Sequence, residues 1–598
     1  MKMFHILLAV AAVVLIVTIA SLVTQGGYLT VDEVTDEDGK IGEFVIVNGD
    51  TSKAIVAGMR IDEDVTIAYD GPLTGWSDIV EVQAELGLIV FSIVLFGNPV
   101  DYVFVFDNIV NSSLEGNIVS GKPVLSVTAK DGFSIELLYY DSKGMEEIQE
   151  YRFITYDHIL GDRVELPVMY GDRLFLCPSI EQNADLMAFA LGLEMSSGIG
   201  GDDRAESIIR LLRDIGCANA RANGAYGSEQ TMDSVDVAIG SKHWNGSNLI
   251  FVVANGCMYD TEFASNLMLG GTGSHHGFSL VSNEIIRTLK EFISDNGITG
   301  KTKILITGYS RTAAGANLAA AYLSDAIAEG KVSEKVGDIE LAKEDLYGYS
   351  FEAPLCGYYA PGMTSPTDGR YDNIWYVTNP DDIVTHLPPK DYGFVRYGHQ
   401  IVTESHDPEK QQIMLQFALK YYGEKASKLL DMSRYVKTSD FQYPSDVYEG
   451  FIEKFFTGLG TREFYHTEME NDLAQSTYAI LKDPALAQDI LDNSGGAFTF
   501  LMEVYNGPKD KGGFDEKFRP VVEDATEKHK CSQYTDSILN SLYQLSGVVH
   551  RYSEDAMSLI TDKYVLAMVA NTGTIFMPHM PAMTYCYMMQ ESTLYVPS

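Results

Sequence analysis

The sequence predicts an α/β protein: a largely parallel sheet covered on both faces, preceded by a β-rich region and followed by a long helical segment. Three observations carry this. Strand-like apolar runs alternate with helical patterns from about residue 200 to 400, short Val, Ile, Phe and Tyr segments separated by turn signals fill residues 27–190, and Pro408 to Asp562 reads helical nearly throughout. At 598 residues, with 46% hydrophobic and 21% charged side chains, the chain has ample apolar surface for more than one globular domain. Its formal charge of −40, from 43 Lys+Arg against 83 Asp+Glu, is repelled by phosphate backbones, so nucleic acid is not an expected partner.

At the N-terminus, after Lys2 and His5, no charged or titratable residue occurs until Asp32, apart from Tyr28, and Ile6 to Ala20 is apolar except for Thr18. Residues 1–26 therefore read as a signal peptide, cleaved after Thr18-Ile19-Ala20, or as an uncleaved membrane anchor, since Phe4 to Val23 is long enough to span. Lys2 before the run and Asp32, Glu33, Asp36, Glu37 and Asp38 after it predict an exported body, extracellular or anchored facing outside.

Residues 27–190 read as a β-rich accessory domain. Within it Leu88 to Phe96 is too short to cross a bilayer, and Gly97-Asn98-Pro99 separates it from Val100 to Phe106, which predicts a buried β-hairpin. The six cysteines (Cys177, Cys217, Cys257, Cys356, Cys531, Cys586) show no CxxC and no close pairing, so they read mostly as isolated buried thiols, with no metal site and no cofactor indicated.

From 200 to 400 the core elements are a helix over Glu206 to Asp214, a strand over Val235 to Ile239, a tight turn at Asn245-Gly246 and a strand over Asn248 to Ala254. A helix over Leu280 to Ser294, a strand over Lys303 to Thr307, an Ala-rich helix over Thr312 to Glu329, and strands over Leu346 to Phe351 and Asn373 to Thr378 complete the alternation. Residues 401–565 form a helical insertion, and 566–598 a C-terminal segment completing the core.

The chemistry is concentrated where the strand ending at Thr307 runs through Gly308-Tyr309-Ser310 straight into Arg311-Thr312-Ala313-Ala314-Gly315-Ala316. A strand, a sharp turn and a helix of small residues are what expose a serine Oγ at the end of a sheet, and the strained serine needs small neighbours where helix and strand nearly touch.

In this segment and around it the sequence resembles the class 3 (fungal-type) lipases of the α/β-hydrolase superfamily, over Glu206 to His399 and again near His579. Asn255-Gly256-Cys257 resembles the family's oxyanion turn, His275-His276-Gly277-Phe278 its helix start, and Tyr347 to Pro354 its Tyr-Thr-Phe strand. Asn373 to Pro389 resembles the acid-bearing strand end, and Tyr392 to Gly398 the segment after it. The chain departs from the pattern at Asn255 (usually Arg), Cys257 (usually Thr or Ser) and Thr312-Ala313 (usually Gly-Gly), the last of which is expected to crowd the turn.

The resemblance implies a serine hydrolase acting on carboxylic esters, acylglycerols or other lipid esters, with Ser310 as nucleophile. Asp382 is its acid, with Asp381 the competitor, and backbone N–H groups of Cys257 and Arg311 form the oxyanion hole. The base must come after the acid in the chain. His386 and His399 lie too near the acid's own strand end, while His466, His529 and His550 fall on predicted helices. His579, in Pro578-His579-Met580-Pro581, resembles the family's final His-x-Pro and is taken as the base ahead of these and of His406. The 197 positions between Asp382 and His579 predict a helical cap. The substituted turn also permits another reading, a catalytically silent cell-surface scaffold or binding protein with a lipase-like fold.

Overall fold

The computed structural model describes strand backbones between residues 45 and 141, and residues 148–595 apart from 158–161, 198–203, 224–230, 233, 256–260, 404–405, 424–440, 442, 495–496, 553–557, 559–560 and 572–576. The 1–26 segment lies outside these, and among the described residues no helix is long and apolar enough to cross a membrane.

Two compact units result. The smaller takes the strands up to residue 141, the stretch Pro167–Phe189 and the last residues from Tyr587. Its strands form an antiparallel sheet of five and another of four, and in the latter Leu88–Leu95 pairs with Asn98–Val105 in the register of a tight hairpin. The C-terminal tail joins it through Asp185, which accepts hydrogen bonds from Ser592 Oγ (2.7 Å) and from the Thr593 N–H (2.7 Å) and Oγ1 (2.8 Å). The sequence pattern groups 587–595 with the core instead, because this polar clasp between distant residues carries no local signature.

The larger unit, Phe153–Leu166 with Ala190–Cys586, is built on one sheet. Its strands are β1 (Arg221–Ala222), β2 (Val237–Trp244), β3 (Ser247–Ala254), β4 (Gly300–Tyr309), β5 (Leu346–Phe351), β6 (Ile374–Thr378) and β7 (His399–Val402), adjacent in that order. β1, β2 and β3 are antiparallel neighbours, and β3 to β7 all run parallel. Asn245 and Gly246 both have positive φ (49° and 74°), which suits the tight turn between β2 and β3.

Helix α1 (His276–Asp295) connects β3 to β4, and α2 (Arg311–Ala328) leaves β4 and packs along β4 and β5. The central strands are apolar without alternation because both faces are covered: Ile250, Val252, Ile304 and Ile306 are buried against Ile285, Leu289 and Phe292 of α1, and Leu249, Phe251, Val253 and Leu305 on the opposite face are fully buried as well. This is an α/β fold with a mostly parallel sheet. The short edge strand β7 is not predicted by the sequence, since four half-exposed residues carry too little pattern.

Beyond β7, helices run from Pro408–Tyr422 through Pro444–Leu459, Arg462–Glu468 and Glu470–Lys482 to Thr535–Tyr552, as the periodicity predicts. Helix Pro581–Glu591 follows near the C-terminus, and its Thr584 donates to Glu352 just past β5.

Candidate active site

Ser310 is the residue between β4 and α2, with φ 56° and ψ −124°, a region non-glycine residues avoid. The strain comes from reversing a buried strand into a helix within one residue. Gly308 permits the reversal: a Cβ there would lie 2.6 Å from the backbone of Thr312. Thr312 itself does not crowd the turn as expected. Its hydroxyl donates to the Tyr309 carbonyl (2.9 Å) and accepts from the Tyr309 N–H (3.3 Å), so the bulkier side chain satisfies the peptide group that the reversal strands.

His579 lies in a short 3-10 turn, Met577–His579, immediately before helix Pro581–Glu591, and is 3% exposed. Its Nε2 is 2.8 Å from Ser310 Oγ, and its Nδ1 is 2.6 Å from Asp382 Oδ2. A carboxylate only accepts, so Nδ1 carries the ring proton and Nε2 is left to accept the serine hydroxyl's. Asp382 is fully buried just past β6; its Oδ1 accepts the Val384 N–H (2.9 Å), which fixes the carboxylate plane and leaves Oδ2 for histidine.

The other candidates go elsewhere. Asp381 Oδ2 meets His406 Nε2 (2.6 Å), and that ring stacks on Tyr443 at 3.6 Å. His386 faces the Pro380 carbonyl, His399 Asp372, His466 Glu470, and His529 both Asp483 and Asp489, while His550 packs on Tyr505.

Of the two oxyanion candidates, Cys257 lies outside the described residues. Arg311 opens α2, where a first-turn N–H has no carbonyl of its own helix to meet. Its guanidinium is buried and donates to Ser265 Oγ (2.9 Å from Nη2), tying the helix start to the segment after β3. Among the described residues no cluster of His, Cys, Asp or Glu could hold a metal ion.

Sequence reasoning missed the groups that hold the histidine in place. Tyr309 OH donates to the His579 carbonyl (2.8 Å), and Asn379 Nδ2 donates to the Pro578 carbonyl (3.3 Å). Glu352 was missed too: it directly follows β5 at φ 50°, is fully buried, and accepts from the Asn379 N–H (2.7 Å) and Thr584 Oγ1 (2.7 Å). Burial, then the charge of Asp382, push its carboxyl well above the usual carboxylate range. Buried His275 caps α1, accepting the Phe278 N–H (3.4 Å) at Nδ1 while Nε2 faces the Asn266 carbonyl (3.2 Å). Burial lowers its pKa to about 3, against the opposing pull of that carbonyl.

A parallel sheet with a strained serine between strand and helix, a histidine against it and a carboxylate behind defines the class of serine hydrolases built on an α/β core. Residues 224–392 match the Lipase (class 3) family model. A comparison with curated proteins found no match.

Among solved structures, the Rhizomucor miehei triacylglyceride lipase is similar at 19% identity over 32% of this chain and 68% of its own, with a TM-score of 0.22. The lipase from Rhizopus microsporus var. chinensis is similar at 17% identity over 36% and 70%, with a TM-score of 0.23. A triacylglycerol lipase described as having a serine protease triad matches at 16% identity over 38% and 81%, with a TM-score of 0.26. These overlaps are partial, and the functional reading rests on the family match and the site.

Proposed function

We propose that the protein hydrolyses carboxylic esters of lipids, acylglycerols foremost, through an acyl-serine intermediate on Ser310. The observation that carries this reading is the unbroken chain Ser310 Oγ, His579 Nε2, His579 Nδ1, Asp382 Oδ2, with links of 2.8 and 2.6 Å in a buried setting. It also weighs against the silent-scaffold reading, because a fold kept only for binding has no need to hold Ser310 in a strained conformation.

In the first half-reaction His579 Nε2 takes the Ser310 proton as Oγ bonds to the ester carbonyl carbon, and the carbonyl oxygen becomes an oxyanion held by the N–H groups of Arg311 and Cys257. As the carbon–oxygen bond to the leaving alcohol breaks, His579 returns the proton to that alcohol. A water deprotonated by the same nitrogen then attacks the acyl-serine, releasing the acid and restoring Ser310. Asp382 keeps the ring tautomer and stabilises the imidazolium.

We read the helices of 401–565 as a cap that limits which esters enter. Arg462 supports this, clasping the Leu269 and Gly270 carbonyls (3.0 and 2.8 Å), with Glu470 accepting the Gly270 N–H (2.8 Å). From the apolar run Ile6 to Ala20 we infer a protein exported across the cytoplasmic membrane, anchored or released.

Labelling of the full chain by a fluorophosphonate, lost in Ser310→Ala, is the expected result, with turnover of esters graded in acyl length measured next. Undiminished ester hydrolysis by Ser310→Ala would sink the assignment. The N-terminus of the mature protein separates anchor from cleaved signal, and recovery of the full-length chain in soluble cytoplasm would contradict both.

A further inference from the structure

Glu352 stands one strand away from the acid of the site, and no step of the ester hydrolysis uses it. It lies directly after β5, fully buried, with a backbone φ of 50° that a glycine would adopt at less cost. One carboxyl oxygen takes the Asn379 N–H and the other takes the Thr584 hydroxyl. Its third neighbour is Asp382, whose own N–H donates to the carbonyl of the same Asn379 (3.1 Å) and whose charge adds to burial in pushing the Glu352 carboxyl up. Two neighbouring carboxyl groups in a dry interior resist being ionised together, which favours one of them keeping its proton.

The remaining neighbours decide which of them holds the proton. Asp382 accepts from the Val384 N–H and faces His579, which gains positive charge during the reaction, so it keeps the negative charge. Glu352 meets only neutral donors, the Asn379 amide and Thr584. Arg396 is a cation close to both carboxyls, but its guanidinium is spent on the Ala353 and Thr385 carbonyls and on the Tyr376 ring. Asp381, next in the chain, turns instead to His406. The Tyr309 hydroxyl, 3.5 Å from Thr584 Oγ1, is neutral.

We propose that Glu352 is a positioning residue for the hydrolase: it stays a neutral carboxylic acid, donates its proton to Asp382, and so fixes that carboxylate and moderates how strongly it favours the His579 imidazolium. Through Thr584 and Asn379 the same side chain ties the end of β5 to the turn after β6 and to the helix behind His579. The strained backbone at 352 is the cost of placing a carboxylic acid there.

The proposal rests on the reading of Ser310, His579 and Asp382 as a triad, and the test keeps the two apart. The infrared spectrum of the full-length protein at neutral pH should show a protonated carboxylic C=O band that disappears in Glu352→Gln. Absence of that band overturns the proposal whether or not the protein turns over esters.

The pH dependence of fluorophosphonate labelling gives the second readout. Glu352→Gln keeps an N–H donor to Asp382, so its acidic limb should stay within about 0.3 pH unit of the parent, with kcat within a fewfold. Glu352→Ala removes the donor, and its limb should move to higher pH by roughly 0.5–1 unit with kcat lowered and KM little changed. If both variants move the limb to lower pH, a negative charge has been removed and Glu352 was ionised, which overturns the proposal; so does a limb unmoved in both. A parent that never labels refutes the triad reading, while the infrared band still decides the state of Glu352.

Discussion

Replacing Gly308 with alanine tests whether the close approach of β4 and α2 is what holds Ser310. The added Cβ would lie 2.6 Å from both the carbonyl carbon and the oxygen of Thr312, and 2.9 Å from the Ala313 nitrogen. These are backbone atoms, so no side chain can swing aside. Restoring ordinary contact at 3.4 Å requires the start of α2 to move by about 0.8 Å. Ser310 and the Arg311 N–H ride on that helix start, and a displacement near 1 Å in a catalytic group costs on the order of 100-fold in rate. The same overpacking should cost about 1–3 kcal/mol of stability. The assay is kcat on a soluble short-chain ester together with denaturant unfolding, set beside Gly315→Ala. That substitution meets the Val281 side chain at 2.2 Å, a full turn further along α2, and should lower stability with a smaller effect on kcat. A Gly308→Ala enzyme within twofold of the parent in kcat would refute the account of the turn.

Further outcomes are expected from the same geometry. His579→Ala and Ser310→Ala should each lower kcat by about 10⁴- to 10⁶-fold, and the double variant should lose little more, because the two act as a unit; additive losses in turnover would argue against it. Asn379→Ala removes the donor to the Pro578 carbonyl and should lower kcat roughly tenfold with KM nearly unchanged, as steady-state kinetics would show. His275 is neutral in the fold with its pKa about 3 against 6.5 unfolded, so the unfolded chain binds the extra proton between those values. Its contribution is complete above pH 6.5 and is lost as the pH falls toward 3, on the order of 5 kcal/mol at the limit. Denaturant unfolding at about pH 7.5 and about pH 5 should show a smaller drop for His275→Asn, which keeps an N-cap acceptor, and an equal drop would refute the assignment.

The sheet was legible in the sequence because its strands are buried on both faces and its helices on one. Ile304 to Ile306 is uniformly apolar, and α1 shows Ile285, Leu289 and Phe292 at helical spacing, so each element declares its own period. The turn at Asn245-Gly246 was legible for another reason: only residues tolerant of positive φ fit there. Edge strand β7 and the tail's attachment to Asp185 have no such local necessity, since both depend on partners that the chain meets only after folding.

The site divides along the same line. Ser310 announces itself through its strained turn, and Asp382 and His579 through chain order and family likeness, because each sits where a sheet of this kind puts its strand ends. Asn379 and Thr584 announce nothing, being an asparagine in a turn and a threonine in a helix, and Glu352 announces little, being a polar residue after a strand. What joins them is adjacency in space: β5 and β6 are neighbours in the sheet, and the last helix comes back over their ends. A buried carboxyl acquires meaning only from what surrounds it. The clearest sequence clue to Glu352 is therefore negative: a charged residue directly after Leu346 to Phe351, a strand fully buried along its length, where solvent cannot serve it and a partner must. A charge at the end of a buried parallel strand thus points toward the active site, because that is the edge of the sheet at which ligands and catalytic groups gather.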